Sequence, residues 1–497
     1  MNSSESSAKP NDKNSFKPIS AFHLYYQLTY MAAMASAGLS RSRTFLVAAE
    51  AKSPVATYFA AINTLVTEFR YDYPEACRIV GNKAKSDNVK SFLLRLSDAL
   101  RSGEPLAEFL TREAEIQGQD YQNDYERNME GLKQWSNAFS SILMSVALII
   151  IIQMVSGMIY STEAGTMGGM VVAGIAMSGF GAFVIYRSAP REVMTGRAID
   201  GSPEQRQALR LMRLLLPIGV MAGMVLRVIG LDFSFVLMIV AAMLLPIGIV
   251  SIRSDKKVIK KDVEFSTFLR SAGGMATSSG TTVKQALTRI DLTSFPVLEG
   301  DIDRLSKRLQ ARVEPEICWR LFGTESGSRL INEVVDIFYG AIKMGGDPEK
   351  VGYVCSLFVA RTTALRSKRR LTASTFAGLA TVMETVAAGL LVFVLSIINS
   401  FAIMVEKVMP KNTDALSSAP QMSLSMGQFS PSDLQFLQFV TILMVLSIIA
   451  VGAAAILACT GGLKLKYFFY LSLGLFIAGV SMLIVPPMVA SLLKVNA

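Results

Sequence analysis

The sequence contains almost no histidine and few cysteines. His23 is the single histidine among 497 residues, which removes most of the acid–base and metal chemistry that depends on imidazole. The four cysteines, Cys77, Cys318, Cys355 and Cys459, show no Cys-x-x-Cys spacing. We therefore expect reduced, structural thiols, and we predict no catalytic residue, no metal site and no cofactor.

A phosphate-binding loop of the form Gly-x-x-x-x-Gly-Lys-Ser/Thr is also missing. The nearest approach, Gly461-Gly462-Leu463-Lys464, is too short. If a machine that contains this chain consumes ATP, another chain must hydrolyse it. Paired carboxylates and nucleophile–base sets are lacking too, so the sequence does not indicate an enzyme.

Charge is scarce in this sequence. Charged residues make up 18% of the chain and apolar residues 51%, a balance too apolar for a soluble multidomain enzyme. The net charge is +10, but Lys and Arg cluster beside apolar runs, which is typical of a membrane orientation signal and not of nucleic-acid binding. Residues 1–18 have no apolar core, so we expect a disordered tail and no cleavable signal peptide.

About seven apolar runs are long enough to cross the roughly 30 Å hydrocarbon core of a bilayer. They are residues 138–160, 167–186, 214–231, 233–252, 376–404, 434–457 and 467–493. Links rich in Lys and Arg alternate with poor ones such as the Pro/Ser/Met-rich link 405–433. The positive-inside rule then predicts a multi-pass protein of the cell membrane with a cytoplasmic N-terminus and an extracellular C-terminus.

Two polar stretches with helical periodicity, 19–137 and 253–375, precede the two groups of spans, 138–252 and 376–497. Each predicted module contains two glycines in turns after helices, and the spacing is the same in both: 103 − 38 = 65 and 345 − 280 = 65. The four residues are Gly38, Gly103, Gly280 and Gly345. We predict an all-α fold with two duplicated cytoplasmic helical-bundle modules in the same orientation. The other explanation is that glycine-terminated helices look alike by chance.

Each module shows a pattern of an aromatic first helix, a glycine turn and a later turn with proline before a span. The second module supplies Phe265, Phe268, Leu269, Ser279, Gly280, Ala286, Leu287, Gly345, Asp347 and Pro348, and the first supplies Tyr26, Leu28, Gly38, Phe45, Leu46, Gly103 and Pro105. In this pattern the chain resembles the platform family of type II secretion and type IV pilus machines, which includes the GspF, PilC and TadC proteins. Two modules with about seven spans are most similar to the archaeal branch, which assembles archaella and adhesion pili.

The resemblance implies a membrane platform without catalytic activity. Its cytoplasmic modules would meet a hexameric secretion ATPase, and its membrane part would receive pilin-like subunits and pass them to the base of a filament. The alternative from another functional class is a secondary transporter or channel with cytoplasmic regulatory domains. Transporters usually place charged or broken helices at mid-membrane, whereas these spans are nearly free of charge.

Basic residues bracket the second module and have two explanations. They are Lys256, Lys257, Lys260 and Lys261 before it, and Arg361, Arg366, Lys368, Arg369 and Arg370 at its end. They can anchor the chain at a membrane surface with anionic lipids. They can also dock onto acidic patches of the ATPase, in which case reversing Arg369 and Arg370 to Glu is expected to abolish filaments without lowering membrane levels.

Two features of the predicted spans also leave alternatives open. The Gly219-x-x-x-Gly223 motif permits close helix contact, either within the chain, with a second copy of the chain in a homodimer, or with the apolar helix of a pilin-like subunit. Glu384 lies in the run 376–404. Since 386–405 alone is long enough to span, we expect Glu384 at the cytoplasmic interface; the alternative is a functional carboxylate inside the membrane.

Overall fold

The computed structural model describes residues 19–159, 164–190, 192, 194–195, 201–408 and 431–492. The predicted tail 1–18 and most of the link 405–433 lie outside these residues. The described residues form sixteen α-helices and two short 3-10 helices without any strand, which confirms the all-α prediction. The α-helices are α1 Ala21–Ser36, α2 Arg41–Glu50, α3 Ala56–Thr67, α4 Tyr73–Asn82, α5 Asp87–Ser102, α6 Leu106–Ile159, α7 Ala164–Ser188, α8 Pro203–Val228, α9 Phe233–Ser278, α10 Val283–Ala286, α11 Glu299–Gln310, α12 Pro315–Glu325, α13 Arg329–Lys343, α14 Pro348–Val408, α15 Pro431–Thr460 and α16 Tyr467–Leu492.

Seven of these helices are long and apolar enough to cross a membrane: α6, α7, α8, α9, α14, α15 and α16. Their number confirms the predicted class of a multi-pass membrane protein. Helices α6, α9 and α14 have 54, 46 and 61 residues. At about 1.5 Å per residue they are far longer than the roughly 30 Å hydrocarbon core. Each therefore joins a predicted polar segment and a predicted span in one helix, since no proline interrupts the backbone hydrogen bonds at the junction.

The chain folds into two compact units. Unit 1 contains the described residues through Tyr125 together with Lys260–Ser326 and Leu330–Leu365. Unit 2 contains Glu126–Ile259, Gly327–Arg329 and the described residues from Arg366 onward. Most of both predicted modules thus lies in unit 1, and the predicted spans lie in unit 2.

Aromatic side chains form the interior of unit 1. In the first module Phe45, Phe59 and Phe92 are fully buried, with ring centroids 5.8 Å and 6.5 Å apart along that series. The second module has its own group, in which Phe268 stacks 6.0 Å from Phe265. Phe358 of α14 packs against helix α1 of the first module, and its ring lies within about 6 Å of three aromatic rings there. Burial of these rings supplies apolar stabilisation that joins the two modules into one unit.

The duplication is visible helix by helix at an offset of 242 residues. Helix α4 corresponds to α12 (315 − 73 = 242), and α5 corresponds to α13 (329 − 87 = 242). The four predicted turn glycines, two pairs at the same offset, all have a left-handed backbone, with φ between 57° and 94°. This conformation strains residues that carry a Cβ, so glycine ends the preceding helix at least cost.

Glycines also bring the helices of unit 2 close together. A Cβ added to Gly174 of α7 would lie 3.0 Å from a methyl of Val146 on α6, and one added to Gly479 of α16 would lie 2.7 Å from Met238 on α9. At Gly248 of α9 it would lie within 2.6 Å of the backbone nitrogen of Phe469. Because lipid removes the hydrophobic drive between spans, such close backbone contact is a main source of their packing energy.

Candidate functional site

Charged residues of α9 and α14 hold the segment that connects α7 with α8. Arg366 of α14 forms a buried ion pair with Glu192 at 2.6 Å, the two side chains being 6% and 9% exposed. Lys257 of α9 pairs with Glu204 in the first turn of α8 at 2.7 Å. Helix α8 starts with a capping box in which the side chains of Ser202 and Gln205 each accept a hydrogen bond from the other residue's backbone N–H. We call the described residues of this segment together with the start of α8, 189–190, 192, 194–195 and 201–204, the first link, and both α9 and α14 contact it.

The turn between α15 and α16, residues 461–466, is held in the same way, and we call it the second link. Asp255 of α9 accepts a hydrogen bond from the backbone N–H of Leu463 and pairs with Lys466 at 2.5 Å. Gly461 and Gly462 have φ of 61° and 84°. A Cβ on Gly462 would also collide with the Asp255 carboxylate. The turn therefore requires glycine for its backbone and for the approach of the acid.

Arg369 of α14 connects the two links. Its guanidinium donates to the backbone oxygens of Cys459 at 2.9 Å and Ala458 at 3.0 Å, and to the oxygen of Pro190 in the first link at 3.1 Å. The side chain is 3% exposed. Free carbonyls at a helix C-terminus carry partial negative charge, so the end of α15 is a suitable environment for a buried cation.

Together these residues form a group of charges, buried or partly buried apart from the exposed Lys257, which we call the collar. It consists of Glu192, Glu204, Asp255, Lys257, Arg366, Arg369 and Lys466. All of them belong to unit 2. Both helices contact both links. Helix α9 contacts the first link through Lys257 and the second through Asp255, whereas α14 contacts the first through Arg366 and Arg369 and the second through Arg369.

Two other predicted docking residues have internal partners in unit 1. Lys261 is 3% exposed and pairs with Asp301 at 2.6 Å. Arg361 donates to the backbone oxygen of Glu115 at 3.2 Å and lies 6.0 Å from the centroid of the Tyr25 ring. Burial raises the pKa of Tyr25 to about 12, although the nearby Arg361 opposes the shift. Gly118 makes room for this guanidinium, because a Cβ at that position would overlap it.

The remaining predicted docking residues are accessible. Lys256, Lys260 and Arg370 are exposed, and Lys368 is exposed while pairing with Glu126 at 2.5 Å. Lys261, Arg366 and Arg369 are buried with internal partners, and the docking role predicted for the whole set stays a prediction. Residues 366 and 369 are three apart and share one face of α14, whereas Arg370 is turned about 100° from Arg369. The two sequence clusters therefore each contain an inner and an outer group of charges.

The two membrane features predicted from the sequence have neighbours within the chain. Gly219 and Gly223 of α8 face α9, where added Cβ atoms would lie 3.8 Å from Met243 and 3.2 Å from Val240. Glu384 is 4% exposed, and its Oε1 has no hydrogen-bond partner among the described residues. Its carboxylate occupies the space that a Cβ of Gly452 on α15 would need. The glycines thus pack within the chain, and Glu384 is buried between α14 and α15.

Several residues that complete this arrangement escaped the sequence-based prediction. The acids Glu192, Glu204 and Asp255 carry no motif, and Asp255 lies some 200 residues from Lys466, so no local spacing connects them.

In the two modules, a sequence signal was available for Gly81 and Gly323, which repeat at the module offset (323 − 81 = 242). Both sit where one helix crosses the next closely, with a Cβ only 3.1 Å from Leu93 or 2.7 Å from Asn332.

Comparison with known proteins bears on what such a molecule does. The family model described as type II secretion system (T2SS), protein F matches residues 28–154. Over these residues the chain is similar to protein F of the type II secretion system. The match covers most of the first module and most of the first predicted span, and the repeat offset places the equivalent segment at 270–396 (28 + 242 and 154 + 242). The family predicted from the sequence is confirmed.

Two curated relatives are both named flagella accessory protein J. The protein from Methanocaldococcus jannaschii is 28% identical over 320 residues, which cover 61% of this chain and 56% of the relative. The protein from Methanococcus voltae is 22% identical over 331 residues, covering 64% of this chain and 59% of the relative. The chain thus spans less than two thirds of either relative, and both names agree with the archaeal branch of the protein F family. No solved structure matches this chain.

Proposed function

We propose that this chain is the membrane platform of an archaellum-like or type IV pilus-like machine, coupling a cytoplasmic hexameric secretion ATPase to the insertion of pilin-like subunits into a filament. The observation that carries the proposal is the protein F domain at residues 28–154, joined to similarity with two proteins named flagella accessory protein J. In this role the chain positions its partners and catalyses no reaction itself.

The exposed basic residues support contact with an acidic partner. Lys256 and Lys260 are one turn apart on α9, and both are exposed, as is Arg370 on α14. Exposed charges steer association and contribute to specificity more than to raw affinity. We assign the docking of the ATPase to these three residues, on the cytoplasmic side that the positive-inside rule gives them.

The membrane part offers an apolar surface to a filament subunit. Only 6% of the most apolar stretch of α8 is buried, against 22% to 50% in the other six candidate spans. The glycine face of α8 is already occupied by α9, so its opposite face is the one available. We infer that an apolar helix of the subunit passes along this exposed face of α8.

Charge reversal at the three exposed sites tests the docking role. The variant Lys256→Glu/Lys260→Glu/Arg370→Glu is expected to lack filaments by electron microscopy while its level in membranes equals that of the unaltered chain. The matched control, Lys83→Glu/Lys85→Glu/Arg101→Glu, changes the net charge equally at exposed positions of the first module. Normal filaments in the first variant, or equal loss in both, would show that these residues do not dock a partner.

A further inference from the structure

The collar has a regular pattern of connections. Of the two helices that hold it, α9 leads into the second module and α14 leads out of it. The first link connects spans α7 and α8, and the second connects α15 and α16. The second module is therefore joined to both links by charged contacts from both of its continuous helices, and four spans are reached through two short segments.

The chemistry of these contacts suits the transmission of movement. Side chains of Glu192, Asp255, Arg366 and Arg369 are all less than 10% exposed. Ion pairs shielded from water in this way resist separation, because parting them leaves an uncompensated buried charge. The Lys257–Glu204 pair, whose side chains are 45% and 25% exposed, holds the first link more weakly. Apolar contacts between spans, by contrast, are non-directional and permit sliding. A displacement of α9 or α14 would thus carry the links with it before it altered the packing among the spans.

Arg369 has a special place because it bonds to both links at once. Its three acceptors are two carbonyls at the end of α15 and the carbonyl of Pro190 after α7. A guanidinium has five N–H donors in a fixed plane, whereas an ammonium on a flexible stem is a single point of charge. Lysine at this position retains the charge but cannot hold both links in one geometry.

We propose that the collar is the coupling element of the platform: Asp255, Lys257, Arg366 and Arg369 make the two links move with α9 and α14, so that a push on the second module is delivered to α7, α8, α15 and α16. Arg369 and Arg366 are accordingly positioning residues, which act through the spans and touch neither the ATPase nor the filament subunit. This inference rests on the proposed function, since it requires a partner that moves the second module.

Filament output from four variants, divided by the amount of chain in the membrane, tests the coupling. Arg369→Lys is expected to lower filaments per chain by about tenfold, the range of ordinary coupling between sites. Arg253→Lys, the same substitution at an exposed position of α9 outside both the collar and the docking residues, is the control and should have no effect. Arg366→Glu should also lower output, and Glu192→Arg/Arg366→Glu should restore it by rebuilding the ion pair with reversed charges.

A spectroscopic measurement on the purified chain in lipid nanodiscs gives a readout independent of filaments. Spin labels on cysteines that replace the exposed residues Arg187, at the end of α7, and Lys464, in the second link, report the distance between the links. The distance distribution is expected to be narrow in the parent chain and broader in Arg369→Lys. An unchanged distribution would overturn the role of Arg369 in joining the links, and a broader one with normal filaments would overturn the coupling.

The failure of this inference differs from the failure of the proposed function. If deletion of the chain leaves filaments unaffected, the platform function itself is wrong. If deletion abolishes filaments while Arg369→Lys and Arg366→Glu produce them normally for each chain present, the platform function stands and the collar is not its coupling element.

Discussion

The basic clusters on α9 and α14 each contain two kinds of charge. On α9 Lys256 and Lys260 are exposed and Lys261 is buried with a defined partner. On α14 Arg370 is exposed, whereas Arg366 and Arg369, four residues and one residue away, are buried with defined partners. In the sequence the two kinds are indistinguishable. A Lys/Arg-rich stretch beside a membrane span can thus contain both an orientation signal and residues that form buried contacts within the chain. The two kinds differ only in the face of the helix on which they lie.

Among substitutions that test the difference between buried and exposed charges, we expect the largest loss of stability at Arg369. Replacement by Ala removes a donor from three backbone oxygens, of which that of Pro190 still accepts from the N–H of Glu192. Each buried acceptor left unsatisfied costs about 1–3 kcal/mol. Arg369→Ala is therefore expected to lower the thermal unfolding midpoint of the full chain in detergent and its level in membranes. Arg370→Ala, the exposed neighbour, should change neither quantity. Similar losses in the two variants would mean that burial is not what separates them.

This outcome bears on the reversal of Arg369 and Arg370 to Glu that the sequence suggested as a docking test. The buried position of Arg369 adds a folding defect to that double variant, so its membrane level is expected to fall. The reversal at Lys256, Lys260 and Arg370 avoids the defect because all three residues are exposed.

Much of the fold follows from local signals in the sequence. Apolar runs of sufficient length predict the spans, and the equal spacing of Gly38–Gly103 and Gly280–Gly345 predicts the duplication, because glycine at a helix end is a backbone requirement visible at one position. The distribution of charges is different. Periodicity shows that residues 366 and 369 share a face, but only packing against Pro190 and the end of α15 decides that this face is inside.

The site was harder to predict than the fold for the same reason. Collar contacts join residues separated by 53 positions at Lys257–Glu204 and by 208 at Leu463–Asp255. Gly118 and Gly452 leave space for the side chains of Arg361 and Glu384, and each glycine is likewise far in sequence from the side chain that it accommodates. A single sequence gives no spacing rule for such pairs, whereas each helix start, turn and span has one.

We expect the next largest loss of stability from substitution of the buried Lys261–Asp301 pair in unit 1, which tests the same difference between buried and exposed charges. Both side chains are 4% exposed, and Asp301 also pairs with Arg304, which is 46% exposed. Lys261→Met is expected to cost about 2–3 kcal/mol, because Asp301 retains only the partly hydrated arginine. The double variant Lys261→Met/Asp301→Leu should recover most of the loss, since well-packed apolar residues often replace a buried ion pair without penalty.

Thermal unfolding of the full chain measures both variants, with Lys260→Met as the exposed control one position away. If the double variant is less stable than Lys261→Met, the carboxylate of Asp301 contributes through Arg304 and not mainly through Lys261. If Lys260→Met is as damaging as Lys261→Met, the lysines act through net charge and the distinction between buried and exposed members fails in this cluster.

The smallest effect concerns an ion pair of intermediate exposure, Arg308–Glu325. Two hydrogen bonds of 2.8 Å and 3.1 Å join the side chains, which are 27% and 23% exposed. Burial acts to raise the pKa of Glu325, but Arg308 and the nearby Arg304 hold that pKa below its ordinary value of 4.5. A lowered folded-state pKa stabilises the protein above the ordinary pKa, and this contribution disappears as the pH falls through the lowered one.

Arg308→Gln should therefore lower the unfolding midpoint at pH 7, with the difference from the parent chain shrinking as the pH falls below about 4.5. The exposed pair Lys343–Glu316, with side chains 54% and 56% exposed, is the comparison. Salt screens exposed charges more than partly buried ones, and the Debye length in about 0.5 M NaCl is only about 4–5 Å. Added NaCl at that concentration should therefore remove any effect of Lys343→Gln on the unfolding midpoint and leave most of the effect of Arg308→Gln. A difference for Arg308→Gln that stays constant down to pH 3 would mean that Arg308 stabilises unit 1 by packing alone, because protonating Glu325 would then change nothing.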